Sequence, residues 1–412
     1  MQIPGCLQTQ LRQIISAHGG DILHSTPKMV MLIGEIVLCI DECQPDNRER
    51  ATHRGGFLTK RALVLRLLLL LTCGTVNAAN AQIPLDHRIE HDVLIVAHAD
   101  DWQLFAGDVV AARLLRGDFV TVIQVTKGLD SVDRWCWEKG QIASLITATQ
   151  DPRSPAKTLD CNAKSYDPAS CGHRTINGHA IFNCHYQNRF SIYFLRLSGT
   201  IEPGHNRNDI PPGLEIHNTV RHLYDGTVSS LSSVDGATSY SSFDDLAQTI
   251  AAISGRCTEG YYGSFGWCHT SNVFASNPLG STRTPLPDHE DHTTTGCLAI
   301  HVALSIGSIS INLFSGYDGP GAATQDPLIR ARKLSDLELN TKKRLFIKAF
   351  GGTLQSRDGV GDVESNEYHS WMEWTDWGID NFPPTPFSSN ASRYWSRLED
   401  ACSKLSTRQN AQ

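Results

Sequence analysis

His91-Asp92-Val93-Leu94-Ile95-Val96-Ala97-His98-Ala99-Asp100-Asp101 joins an unbroken apolar run to a cluster of ligand-type side chains. Strands of a parallel sheet read this way, because helices cover both of their faces. Downstream, Leu104, Val109, Ala112 and Leu115 recur at helical spacing and Gly117 ends the pattern. Residues 119–125 are rich in β-branched side chains and form a second strand. Strand, helix and strand within about 35 residues make a βαβ unit. The predicted class is therefore α/β, a Rossmann-like mostly parallel sheet with helices on both faces. Further along, 138–149 and the amphipathic 243–253 read as helices, and 191–197 as a third strand. Residues 297–309 read as an apolar helix or a helix–strand pair, and 334–350 as a charged helix. Residues 150–190, with Pro, Asn, Ser and three cysteines, read as an irregular disulfide-tied insertion. Its His173, His179 and His185 fit no helix face, which favours ordinary surface or core histidines over a metal site. No internal repeat or flexible linker divides the chain, so one domain is expected.

The chain has 412 residues and a net charge of −7. That balance excludes a basic nucleic-acid binder, which needs a positive face. With 40% hydrophobic and 19% charged residues, it also excludes a mostly disordered chain. Lys60 to Arg66, the leucine run 67–71 and the small residues up to Ala81 have the three parts of a secretory signal, with cleavage after Ala78 or Ala81. The apolar run is shorter than the about 20 residues a spanning helix needs, so no stable membrane span is expected in the mature chain. Residues 1–57 hold no pattern that folds and are read as a non-native or leader extension. The working domain is then 82–412, in an extracytoplasmic setting. Eight of the twelve cysteines lie there: Cys136, Cys161, Cys171, Cys184, Cys257, Cys268, Cys297 and Cys402. An even number behind a signal points to disulfides. The local pairs Cys161–Cys171 and Cys257–Cys268 are the first expectation, and the absence of CxxC argues against a cysteine zinc site.

Two segments carry chemistry. His98-Ala99-Asp100-Asp101 sits at a strand's carboxyl end, where open α/β sheets gather ligands. Alone it reads better as a solvated acidic loop. Pro287-Asp288-His289-Glu290-Asp291-His292 puts two imidazoles three residues apart, close enough to share a helix face. Together the segments supply a three-ligand zinc set with a spare carboxylate and a spare imidazole for acid/base work.

These residues resemble a known family. His98-Ala99-Asp100-Asp101 is similar to the AHPDDE signature of PIG-L/LmbE-type N-acetylglucosaminyl deacetylases, and His289 to His292 to their HxDH motif. Thr126-Lys127-Gly128, Glu138, Leu195-Arg196-Leu197, Gly316-Tyr317 and Leu334-Ser335 with Lys342 extend the resemblance over about residues 90 to 375. It implies that His98, Asp101 and His292 bind Zn2+. Asp100 would be the general base for the zinc-activated water, and His289 would stabilise the oxyanion or protonate the leaving amine. Asp291 is expected to orient His289. Arg196 is a candidate for holding a sugar or phosphate oxygen, with a structural arginine as the other reading. Ala99 stands for the usual proline, Trp102-Gln103 for the usual glutamate as in an HxDDWQ subgroup, and Ser198-Gly199-Thr200 for PDG. The implied activity is zinc-dependent de-N-acetylation of an N-acetylated sugar or glycan substrate, releasing acetate. A zinc hydrolase of another amide or an ester is the first alternative. A catalytically idle carbohydrate-binding protein using the aromatic run 261–267 is the second.

Overall fold

The computed structural model describes residues 90–127, 134–199, 218–255, 270–278, 290–307, 310–314, 329–355, 372–378 and 396–403. The expected signal, the extension before it, the 261–267 run and the Cys257–Cys268 pair lie outside them. All the described residues fall in one unit, Ile83–Gln412.

β1 (His91–Val96) is buried at every position, as its unbroken apolar run requires. It runs into α1 (Asp101–Arg116), which ends at Gly117. Gly117 adopts φ 96°, and its N–H bonds back to Arg113 and Leu114 carbonyls. Glycine takes this left-handed conformation without a Cβ clash. β2 (Phe119–Thr126) follows, then α2 (Arg134–Ala148). Next come β3 (Ser170–Ile176), β4 (His179–Tyr186) and β5 (Phe190–Leu197). A short helix α3 (Val220–Tyr224) and a small hairpin, β6 (Leu231–Ser232) with β7 (Ser239–Tyr240), precede α4 (Phe243–Ser254). β8 (Thr270–Ser276), α5 (Glu290–Ile306) and β9 (Ser310–Phe314) form the next crossover. After β10 (Ile329–Lys333), α6 (Asp336–Lys343) passes through a π-helical turn, Arg344–Phe350, into α7 (Gly351–Gln355). β11 (Trp374–Gly378) and a helix α8 over 396–403 complete the described chain.

The main sheet runs β10-β11-β9-β8-β1-β2-β5-β4-β3. Its five central strands, β9 to β5 in that order, pair in parallel. An antiparallel pair extends it at each side. The α/β class with a mostly parallel sheet is therefore observed. One face packs α1, α2 and the π turn through Leu94, Val122, Phe194 and Phe346. The other packs α4 and α5 through Val93, Ile95, Val273 and Leu298. Alternate residues of β1 thus serve opposite cores, which is why its sequence shows no polar alternation.

Several expectations change. About half of the 150–190 segment is the β3–β4 hairpin rather than irregular chain. Asn177-Gly178 makes its two-residue turn with φ of 51° and 84°, a conformation that Asn-Gly favours. Cys171 faces Cys184 across that hairpin and bonds to it, while Cys161 bonds to Cys136 on α2. Cys161–Cys171 is therefore not a pair: strand register, not sequence proximity, brings the partners together. Cys297 on α5 bonds to Cys402 on α8. The expected 334–350 helix is interrupted by the π turn, where Ser144 on α2 donates to the Leu345 carbonyl at 2.9 Å. Trp374 and Trp377 lie in strand β11.

Candidate metal centre

The strand order reverses at β1. β2 and β5 follow on one side of it, β8 and β9 on the other. α1 leaves the end of β1 for one face, and α5 leaves the end of β8 for the other. A crevice opens at such a switch point, outside the strands' carboxyl ends. His98 and Asp101 enter it from the β1–α1 junction, and His292 from the first turn of α5.

Backbone groups fix the β1 end. Thr126 on β2 donates to the Ala97 carbonyl from its N–H at 3.0 Å and its hydroxyl at 2.9 Å. The His98 N–H donates to Asp101 Oδ2 at 2.8 Å, which folds the loop over the start of α1. On the other side, an added Cβ at Gly296 would stand 2.3 Å from the Ser276 carbonyl, so only glycine lets α5 lie this close to the end of β8. That close approach carries His292 to the end of β1.

Among the described residues, His98, Asp101 and His292 form one group whose ligand atoms lie within 4.8 Å of one another. Asp101 Oδ1 and His98 Nδ1 each stand 3.1 Å from His292 Nε2, and 3.7 Å from each other. Two ligand atoms about 2.0–2.1 Å from a tetrahedral zinc are about 3.3–3.4 Å apart. The observed edges bracket that separation, so the three residues fit a zinc ion. Asp291, buried, meets His98 Nε2 at 3.1 Å. A carboxylate there holds the Nε2 proton and leaves Nδ1 as the ligand atom.

Charge supports the same fit. Burial lowers the His98 pKa, but hydrogen bonds to Asp101 and Asp291 outweigh it and carry it up to about 10. Burial works against ionised Asp101, yet the His292 charge and hydrogen bonds to both histidines hold it well below the carboxylate range. The carboxylates thus favour positive charge on the imidazoles beside them. Asp100 is the N-cap of α1, a position where aspartate ordinarily bonds the helix N–H groups, but its side chain makes no cap bond. Burial and the adjacent Asp101 push its pKa up to about 6.

The structure thus brings together His98, Asp101 and His292, with Asp100 between the two β1-end ligands in sequence. His289 lies outside the described residues. Among the described residues Asp291 also meets His98, a contact its place in the sequence does not reveal. Arg196 is 4% exposed and pairs with both Glu138 oxygens, at 2.7 and 2.9 Å, and with Asp235 at 2.6 Å. Its backbone is held at φ 57°, unusual for a non-glycine residue. The guanidinium ties β5 to α2 and to the β6–β7 hairpin. Trp102 and Gln103, the two residues after Asp101, are fully buried. Gly199, just past the end of β5, also bears on the site. Its Cα lies so near Asp291 that a Cβ would fall 2.4 Å from Oδ2.

No family model matches the chain, and no curated protein matches it. Among solved structures it is similar to the N,N'-diacetylchitobiose deacetylase of Pyrococcus horikoshii, at 13% identity over 76% of this chain and 96% of that one, with a TM-score of 0.34. It is also similar to the A40926 pseudoaglycone deacetylase Dbv21, at 12% identity over 67% and 86%, TM-score 0.32. The 4-carboxy-2-hydroxymuconate hydratase GalB of Pseudomonas putida is similar at 9% identity over 73% and 98%, TM-score 0.33.

Proposed function

We propose that the chain is a zinc-dependent de-N-acetylase that hydrolyses the acetamide of an N-acetylated amino sugar or glycan outside the cytoplasm. The observation that carries the reading is the convergence of His98, Asp101 and His292 beside a carboxylate, Asp100, that is not used as a helix cap. The three disulfides among the described residues are consistent with the extracytoplasmic setting. No helix among the described residues is long and apolar enough to cross a membrane.

His98, Asp101 and His292 would hold the ion. Zinc, when bound, lowers the pKa of a water to about 7 and polarises an acyl oxygen. Asp100 takes the proton from the attacking water and passes it to the departing amine. Asp291 keeps the His98 imidazole oriented. His289, three residues before His292, is assigned to steady the negative charge that builds on the acyl oxygen. Adjacent Asp100 and Asp101 cannot flank a glycosidic bond at the roughly 5 to 9 Å separations that paired-carboxylate glycosidases use. The test is acetate release by the purified, zinc-loaded protein from N-acetylated sugars and polysaccharides, alongside metal analysis. Stoichiometric zinc without acetate release from any of them overturns the proposal.

A further inference from the structure

Trp135 lies in the first turn of α2 and is 41% exposed, a large apolar surface to leave in water. Its indole is firmly backed. The Phe182 ring meets it edge-on at 6.0 Å and 90°, and the Tyr166 ring lies 6.0 Å away. The Arg196 guanidinium sits 5.3 Å from its centroid and 4.2 Å from that of Phe182. Phe182 and Tyr166 are buried, and Arg196 is locked by Glu138 and Asp235. Disulfide-bonded Cys136 is the next residue. The exposed ring therefore rests on groups that cannot shift, and a ligand stacking on it would lose little freedom in ordering the protein.

Position decides what the ring would hold. α2 follows β2, so its first turn lies at the carboxyl edge of the sheet, the same edge as His98 and Asp100. β5, which carries Arg196, is two strands from β1. At about 4.8 Å per strand that is about 10 Å, further than one pyranose reaches but within a disaccharide's span. A pyranose presents an apolar C–H face ringed by hydroxyls. Trp135 offers the matching flat face. The Asp235 carboxylate, 17% exposed on the far side of Arg196, and exposed His173, whose ring is 5.4 Å from Phe182, offer polar partners at the rim.

We propose that Trp135 is the stacking platform for a second sugar ring, so that the centre acts on oligosaccharides or glycan chains rather than on a free amino sugar. The substrate length rests on the deacetylase reading; the platform itself does not. The experiment compares wild type, Trp135→Ala and Trp135→Phe on N-acetylglucosamine and on its β-1,4-linked trimer. It reads acetate release, and also calorimetric binding to the same proteins carrying Asp100→Asn, so that binding is seen without turnover. Trp135→Ala is expected to lose about tenfold in kcat/KM and affinity for the trimer, the effect of removing a packed aromatic anchor, with monosaccharide turnover unchanged. Trp135→Phe keeps the packing on Phe182 with a smaller face, and shows the same selectivity at reduced size. Equal effects on both lengths, no effect on either, or a Trp135-dependent dimer in sedimentation overturns the platform. Trimer binding that depends on Trp135, with no acetate from wild type, keeps the platform and defeats the deacetylase reading instead.

Discussion

Gly199→Ala tests whether the close approach at the end of β5 holds the metal centre in order. The added Cβ would stand 2.4 Å from Asp291 Oδ2 and 3.4 Å from both Asp291 Cγ and Thr126 Oγ1. Ordinary contact begins at about 3.5 Å, so the carboxylate oxygen must retreat by about 1 Å. The His98 Nε2···Asp291 Oδ2 bond, 3.1 Å in the native arrangement, then opens to about 4 Å and is lost. Gly199 is not in the left-handed region, so alanine adds no backbone strain and the contact is the whole perturbation. Losing the carboxylate partner of a ligand histidine costs about 10- to 100-fold in metal affinity or activity. The assay is zinc affinity by competition with a chromophoric chelator, with kcat and a thermal melt on the same samples. Asp291→Ala is the companion: once the carboxylate is gone, Gly199→Ala should add little, so the two effects should not sum. A folded Gly199→Ala protein with wild-type zinc affinity and turnover would refute the reasoning.

Asp100→Asn should abolish turnover while zinc stays bound in metal analysis; loss of the metal would exchange the ligand and base roles of Asp100 and Asp101. Glu138→Ala leaves the buried Arg196 guanidinium without its bidentate partner, and should lower stability in urea melts by about 3–5 kcal/mol. His91 and Asp92 give opposite acid responses. Burial lowers the His91 pKa from 6.5 to about 4, so the unfolded chain binds more protons between those values, and stability falls as pH drops through that window. Asp92 is raised from 3.8 to about 6 by burial, partly opposed by Arg113, so the folded chain binds more protons there and stability rises as pH drops. His91→Asn removes only the first response. Relative to wild type it should gain on the order of 3 kcal/mol between pH 7 and pH 4, read from melts across that range. A constant difference would show that His91 titrates alike in both states.

The parallel sheet was legible because β1 and β2 are buried on both faces and so read as apolar runs. The grouping of His98, Asp101 and His292 was legible because metal chemistry restricts residue types, and the two motifs lie at the start of elements. What escaped was mostly long-range. Asp291 could be seen as an orienting carboxylate, but its contact with His98 depends on how closely α5 approaches the end of β1, and Gly296 permits that approach through space. Gly199 carries no local signal, since its need to be glycine comes from a residue 92 positions later. Arg196 read as a possible substrate residue because its partners, Glu138 and Asp235, come from other elements. The β3–β4 hairpin is a different case. Asn177-Gly178 is a strong turn signal, and the histidines and cysteines around it drew the reading toward an irregular insertion.

The place of β1 in the sheet also sets a timetable for the nascent chain. Its β2 edge is covered as soon as residues 119–126 leave the ribosome, but its other edge waits for β8, which begins at Thr270. His292 follows later still. Two thirds of the chain is made before a partner for that open edge exists, and the set of ligands closes only afterwards. Pairings so distant in sequence form slowly. The three side chains that could hold a metal ion therefore come together among the last events of folding.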